Sequence, residues 1–164
     1  MSIKSATISD LGIIKQITHK TITEIYPHYY SDGAVSFFLN HHNENNIIDD
    51  IKKHCVYICV DTEDTIVGTV TIKNNEICRL FVLTEYQGNG YAKNLIDFIV
   101  KEYADKYSVL QVGTGDSPLT VPFYEKCGFV RSHIIPNFFT NNYDHPIFEC
   151  GVRLTDMVIF QRNL

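Results

Sequence analysis

Residues 76–92 read Glu76-Ile77-Cys78-Arg79-Leu80-Phe81-Val82-Leu83-Thr84-Glu85-Tyr86-Gln87-Gly88-Asn89-Gly90-Tyr91-Ala92, and the chain changes character most sharply here. The first seven are β-branched, aromatic and apolar enough for a buried strand. Beyond Gly90 the period changes, with Ala92, Leu95, Ile96, Ile99 and Tyr103 on one face of a helix expected to run to about Lys106. Between them stands Gly88-Asn89-Gly90, where glycine allows positive φ and close approach to the main chain. Amide N–H groups at a helix start lack partners, and the helix dipole adds positive potential, so the junction suits an anion such as a pyrophosphate. The same residues also spell an ordinary glycine turn. Neither standard nucleotide loop fits, because Lys93 stands where a dinucleotide fingerprint needs its third glycine and no Gly-Lys-Ser/Thr occurs. A second glycine pair, Gly113-Thr114-Gly115, meets Pro118 at the same test.

Outward from this junction the pattern is continuous. Toward the N-terminus, Cys55–Val60 and Thr65–Lys73 read as strands that make an antiparallel meander with Glu76–Val82. Before them come a short strand at Ile3–Thr7 and a helix capped by Ser9-Asp10, with Leu11, Ile14, Ile17 and Ile22 as its stripe. Pro27 interrupts that helix within the aromatic stretch Tyr26–Tyr30, expected as a loop. Helical segments are expected at Asp32–Leu39 and Glu44–Lys53. Toward the C-terminus, Ser108–Gly113 follows the central helix as a strand, which implies a parallel pair with a crossover. A shorter helix at Thr120–Cys127 stops at Gly128. Strands are expected at Phe129–Ile135 and Val152–Phe160, joined by a long aromatic and Asn-rich loop. The sum is one α+β domain on a mixed, mostly antiparallel sheet flanked by helices.

Composition narrows the partners. The 164 residues carry a formal charge of −5, which argues against a nucleic-acid binder and is compatible with a cationic small substrate. No apolar run reaches the roughly 18 residues of a membrane helix, and the start lacks a secretory pattern, so the expectation is a cytoplasmic protein. The five cysteines, Cys55, Cys59, Cys78, Cys127 and Cys150, form no C-x-x-C pair and suggest reduced, inert thiols. The seven histidines show no metal-ligand spacing, and no metal is expected.

The segment Gln87-Gly88-Asn89-Gly90-Tyr91-Ala92, the preceding Arg79-Leu80-Phe81-Val82, and Phe123-Tyr124-Glu125-Lys126-Cys127-Gly128-Phe129 resemble the GCN5-related N-acetyltransferase (GNAT) superfamily. That family carries Gln/Arg-x-x-Gly-x-Gly/Ala after its fourth strand and Phe-Tyr-Glu-Lys-x-Gly-Phe about 35 residues later. The tail from Pro146 to Met157 is similar to a bacterial subgroup. The resemblance implies acetyl-CoA as cosubstrate and no metal. Its pyrophosphate would be held by Gln87, Gly88, Asn89, Gly90, Tyr91 and Ala92, and its pantetheine arm by main-chain groups of Leu80, Phe81 and Val82. The arm would pass between strands Glu76–Val82 and Ser108–Gly113, splayed apart. Ser117 occupies a position where the family often has a cofactor-contacting Asn, and Lys126 belongs to the second motif; both are expected at the cofactor. Ser117 is shorter than Asn, and Pro122 implies that the helix carrying Tyr124 starts near Thr120 or Val121.

The implied reaction is direct transfer of acetyl to a primary amine of a small molecule or peptide. An amine with a pKa near roughly 10.4 must lose a proton before it attacks. Glu76, opening the fourth strand, is the first candidate base, and Glu24 beside the tyrosine cluster is the second. By the resemblance, the Val82 N–H meets the oxyanion and Tyr124 serves as acid to the departing thiolate. Tyr124 also reads as a helix aromatic packed under the sheet. A CoA-binding sensor domain without turnover is the alternative function. Exposed aromatics expected at Phe138-Phe139 make a homodimer the oligomeric expectation.

Overall fold

The computed structural model describes residues 1–164 as one seven-stranded sheet with helices on both faces and a separate hairpin at one end. Strands β1 (Ser2–Ser5), β2 (Val56–Val60), β3 (Ile66–Lys73), β4 (Glu76–Val82), β5 (Val109–Gly115), β6 (Val130–Ile135) and β9 (Met157–Asn163) lie in the order β1-β2-β3-β4-β5-β9-β6. All neighbours are antiparallel except β4 and β5. The hairpin pairs β7 (Ile147–Glu149) with β8 (Val152–Leu154). No helix is long and apolar enough to cross a membrane.

Helices α1 (Leu11–Ile25), α2 (Asp32–His41) and α3 (Glu44–Lys52) cover one face, and α4 (Tyr91–Tyr103) with α5 (Val121–Lys126) cover the other. Strand β2 shows the consequence, since all five of its residues are buried. Alternate side chains go to opposite faces: Tyr57 and Cys59 join the α4 core, while Val56 and Ile58 pack with Ile14, Ile47 and Ile51. On α4, Leu95, Ile96 and Ile99 are fully buried, so the predicted apolar stripe is the face that meets the sheet. Helix α1 starts at Leu11, directly after the expected cap residue Asp10, with one extra turn ahead of it. Thr7 donates both its main-chain N–H and its hydroxyl to Asp10 at 2.8 Å, which closes a short 3-10 turn ahead of Leu11.

Three expectations near the C-terminus need correction. The run Val152–Phe160 is two strands, broken at Thr155-Asp156. Cys150 (φ 50°) and Gly151 (φ 78°) form a two-residue turn of positive φ, which folds Val152–Leu154 back onto β7. The aromatic loop is partly helical (α6, Phe138–Asn142), with Asn137 in the left-handed region at its start. Phe139 is buried against Ile147 and Leu154 and stacks on Tyr143, and Phe138 is partly buried beside it, so the pair does not form the exposed aromatic surface expected. Proline 122 lies in the first turn of α5, where its missing N–H costs nothing.

A buried polar cluster ties α2 and α3 to the centre of the sheet. Arg79 of β4 donates to Asp50 of α3 and to the Thr71 hydroxyl at 3.1 Å, and it meets His42 Nδ1 at 3.3 Å. Half-exposed Lys73 holds the other Asp50 oxygen at 2.8 Å. Removing one member of such a pair strands a charge inside the protein. Asp50→Ala is therefore expected to lower the unfolding free energy by about 3–5 kcal/mol in urea titration. Lys73→Ala, at the solvent edge of the same cluster, should cost about 1 kcal/mol or less.

Candidate functional site

The parallel pair β4–β5 is joined at one register position, Glu76 opposite Gln111. There the Gln111 N–H donates to Asn75 O at 2.8 Å and the Asn75 amide donates to Val109 O at 3.2 Å. Beyond this closed end the strands diverge, each secured on its outer side: β4 by β3, and β5 by seven residue pairs with β9. The Leu83 N–H donates to Val67 O, so pairing alternation turns the main-chain groups of Val82 and Leu80 the other way, into the gap. The Gln87 amide donates to Val82 O at 3.0 Å from that side, which leaves the Val82 N–H facing the opening. Phe81 is placed differently. Its main chain faces β3, and its ring is buried against Ile17, Ile22 and Leu83.

At the mouth of the gap the chain turns through Gly88 (φ 78°) and Gly90 (φ 83°) into α4. No main-chain N–H from Gly88 to Lys93 is taken up by a protein acceptor, and the first N–H of the segment to be used is that of Asn94, on Gly90 O. Asn89 turns its amide inward to Tyr86 O and Gln87 O, which braces the loop from below. A Cβ at Gly88 would meet nothing within 4 Å, so the space above the loop is open and the glycine is demanded by φ alone. Free N–H groups, a helix dipole and open space together fit a diphosphate. The other glycine pair has a different purpose: a Cβ at Gly113 would lie 2.7 Å from Met157 Sδ, and one at Gly115 would lie 2.7 Å from Leu154 Cδ1. Those glycines let β5 pack tightly.

A cleft of about 460 Å³ passes through the sheet at the gap. One side is walled by aromatic residues of the Tyr26–Tyr30 connection, α2 and α6; the other reaches Tyr124 and Thr120 at α5. Tyr124 packs against Phe129 and Phe160, and its hydroxyl has no partner in the protein. Burial pushes its phenol up to about 12, so it stays protonated at neutral pH. Cys78 also lines the cleft, and burial, aided by the Glu76 carboxylate, raises its thiol above the usual range, the opposite of an activated nucleophile.

Other expected site residues are dispersed. Glu76 is exposed at the closed end and does not line the cleft. Glu24 is exposed on α1 and accepts from Thr84 Oγ1 at 3.1 Å. Lys126 is exposed in the last turn of α5 without a polar partner. Ser117 is buried in the β5–α5 connection, and its hydroxyl donates to Glu149 Oε2 at 2.6 Å while accepting the Leu119 N–H at 3.2 Å. Glu149 is the residue that sequence reasoning missed. It is 7% exposed, ends β7 inside the cleft, and receives a longer contact of 3.4 Å from the Tyr30 hydroxyl. The only signal available was its place in an aromatic stretch, which does not reveal an inward-pointing carboxylate.

On the aromatic side, burial and then the Arg79 charge depress the His42 imidazole to about 3, with His41 and His19 acting in the same sense and Asp50 opposing. A histidine neutral when folded but chargeable when unfolded contributes stability that is present above about pH 6.5 and lost as pH falls toward 3. Urea midpoints are expected to drop between pH 7 and pH 4.5, and His42→Gln should flatten that part of the pH profile.

The comparisons agree with this geometry. Residues 25–159 match the "Acetyltransferase (GNAT) domain" family. Over 85 residues the chain is 36% identical to the uncharacterized N-acetyltransferase YvbK of Bacillus subtilis (strain 168), covering 51% of this chain and 55% of that protein. The chain thus spans about half the length of this curated relative. In fold it is similar to the PaiA N-acetyltransferase of Thermoplasma acidophilum solved with coenzyme A, with TM-score 0.76, 16% identity, and 99% and 98% of the two chains covered. A Bacillus subtilis acetyltransferase in complex with CoA superposes with TM-score 0.65 at 24% identity, covering 99% and 97%. A single-pair parallel junction, a glycine-led helix with unused N–H groups and a match over residues 25–159 lead to one conclusion: the chain belongs to the GNAT acetyltransferase family.

Proposed function

We propose that the protein is an N-acetyltransferase that moves an acetyl group from acetyl-CoA directly to a primary amine of a small molecule or peptide. The observation that carries this is the row of unused N–H groups from Gly88 to Lys93 opening onto the gap beside Val82. In this reading the amides of Gly88–Ala92 hold the diphosphate. The outward main-chain groups of Leu80 and Val82 take a pantetheine arm as β5 would take a neighbouring strand. The relatives solved with CoA or acetyl-CoA support the choice of cosubstrate.

The ammonium first loses a proton. Its nitrogen attacks the thioester carbonyl carbon, a C–N bond forms, and the C–S bond breaks. The nitrogen sheds its second proton while sulfur gains one, so the net products are an amide, a thiol and one proton. The Val82 N–H faces the side where the oxyanion develops. A phenol held at about 12 is a weaker acid than a thiol near roughly 8.5. Tyr124 therefore supplies a hydrogen bond to the departing sulfur, and the proton lost by nitrogen completes the exchange. Its free hydroxyl is what makes that contact available. Glu76 remains at the strand entrance in this scheme, and Ser117 serves to fix Glu149 rather than to hold the cosubstrate.

Calorimetry with CoA is the first test, and saturable binding is expected. Gly90→Val, which forces a β-branched residue to positive φ at the head of α4, should weaken CoA binding by about tenfold or more. Tyr124→Phe should lower kcat by about tenfold or more while the calorimetric affinity for acetyl-CoA stays within about twofold. A sensor domain without turnover would bind CoA equally well but release no free thiol with any amine.

A further inference from the structure

Every charged side chain inside the cleft has a counter-charge except one. Arg79 is balanced by Asp50. Glu149 forms no salt bridge, and its polar partners are the Ser117 and Tyr30 hydroxyls. A carboxylate buried to this degree beside neutral donors alone is costly, and an opposite charge would relieve the cost. The walls around it are aromatic. Tyr26 and Tyr30 lie 5.2 Å apart by ring centroid, each about as close to Phe38 (5.0 and 5.3 Å), and Tyr143 stands 5.8 Å from Tyr30. Burial, first of all, raises the Tyr26, Tyr30 and Tyr143 phenols, so none of them becomes a competing anion at neutral pH.

Resting on the acetyltransferase reading, we infer that the acceptor is a singly charged primary amine on an apolar, preferably aromatic, body. Its ammonium pairs with Glu149, and its body lies among Tyr26, Tyr30, Phe38 and Tyr143. The ring faces favour a cation as well as a flat apolar group. The volume suits a small molecule. A polyamine would leave its further charges without carboxylates in this wall. An amino acid would set its own carboxylate against Glu149, and the one cation nearby, Arg79, is already committed to Asp50, Thr71 and His42. A hydroxyl-rich amino sugar would lay hydroxyls against the aromatic faces of Tyr26, Tyr30, Phe38 and Tyr143, which cannot replace the hydrogen bonds that water gives them. Acetylation removes the positive charge, so the neutral amide loses its hold on Glu149 and departs. Ser117 acts as a positioning residue, its 2.6 Å hydrogen bond aiming the carboxylate.

The test measures CoA release from acetyl-CoA with 2-phenylethylamine, spermidine, phenylalanine, kanamycin and a lysine-containing peptide. Phenylethylamine should show a kcat/KM about tenfold or more above each of the others, the scale of one charge-assisted contact. Glu149→Gln should raise its KM by about tenfold or more, with acetyl-CoA affinity by calorimetry unchanged. If Glu149→Gln does not fold, Tyr30→Phe and Ser117→Ala replace it, each expected to raise the amine KM without changing calorimetric acetyl-CoA affinity. Preference for spermidine, the sugar, the amino acid or the peptide overturns the inference, and so does an amine KM indifferent to these substitutions. Acetyl-CoA binding with no amine of the panel acetylated also overturns it. Failure to bind acetyl-CoA at all is a separate result, which sinks the acetyltransferase reading itself.

Discussion

The site depends on one constraint: two parallel neighbours in the sheet, β4 and β5, are allowed to pair only at Glu76 and Gln111. A sheet ordinarily uses every main-chain N–H and C=O it can, because an unpaired polar group away from water is costly. The separation persists because each strand is anchored elsewhere, β4 to β3 and β5 to β9. Close packing of Met157 and Leu154 over the glycines of β5 fixes that strand further from the other side. The gap is thus a consequence of stronger pairings around it, and it supplies the unused main-chain groups that an extended, amide-containing ligand needs.

Helix α4 extends the same logic. Its buried face locks against β2, β3 and β4, and its head is thereby fixed at the mouth of the gap. Gly88 and Gly90 turn the chain so that the N–H groups of the first turn point outward. Free N–H groups and the opening between the strands therefore come from adjacent residues, which is the geometry that the proposed cosubstrate would use.

The opposite wall is organised by charge. The two charge-bearing clusters of the interior differ: Asp50 is paired with both Arg79 and Lys73, which fastens α3 to the sheet, whereas Glu149 has only hydroxyl partners. The first cluster needs nothing further. The second has hydroxyl donors but no counter-charge, which is the feature that the proposed amine would complete.

Much was legible in the sequence wherever the signal is local. The strand–glycine–helix junction is written in consecutive residues, and β4 has the predicted bounds because Asn74-Asn75 and the glycine loop punctuate it on both sides. Pro122 fixed where α5 begins for a similar reason, since its ring tolerates only the first turn. Tyr124 was singled out by its motif, and it lines the cleft. Tertiary structure alone decided the rest. The Val152–Phe160 run is apolar enough for one strand, and only the positive-φ turn at Cys150-Gly151 and its pairing with β7 divide it. Ser117 and Glu149 are 32 residues apart, and nothing in either neighbourhood says that one hydroxyl will meet one carboxylate. Glu76 read as the nearer acid by sequence yet stands at the closed end, because position along a strand does not tell which end opens. Local backbone preference made the punctuated elements and their junctions legible, whereas the division of the C-terminal run and the convergence of distant side chains were decided by how the sheet, hairpin and helices pack.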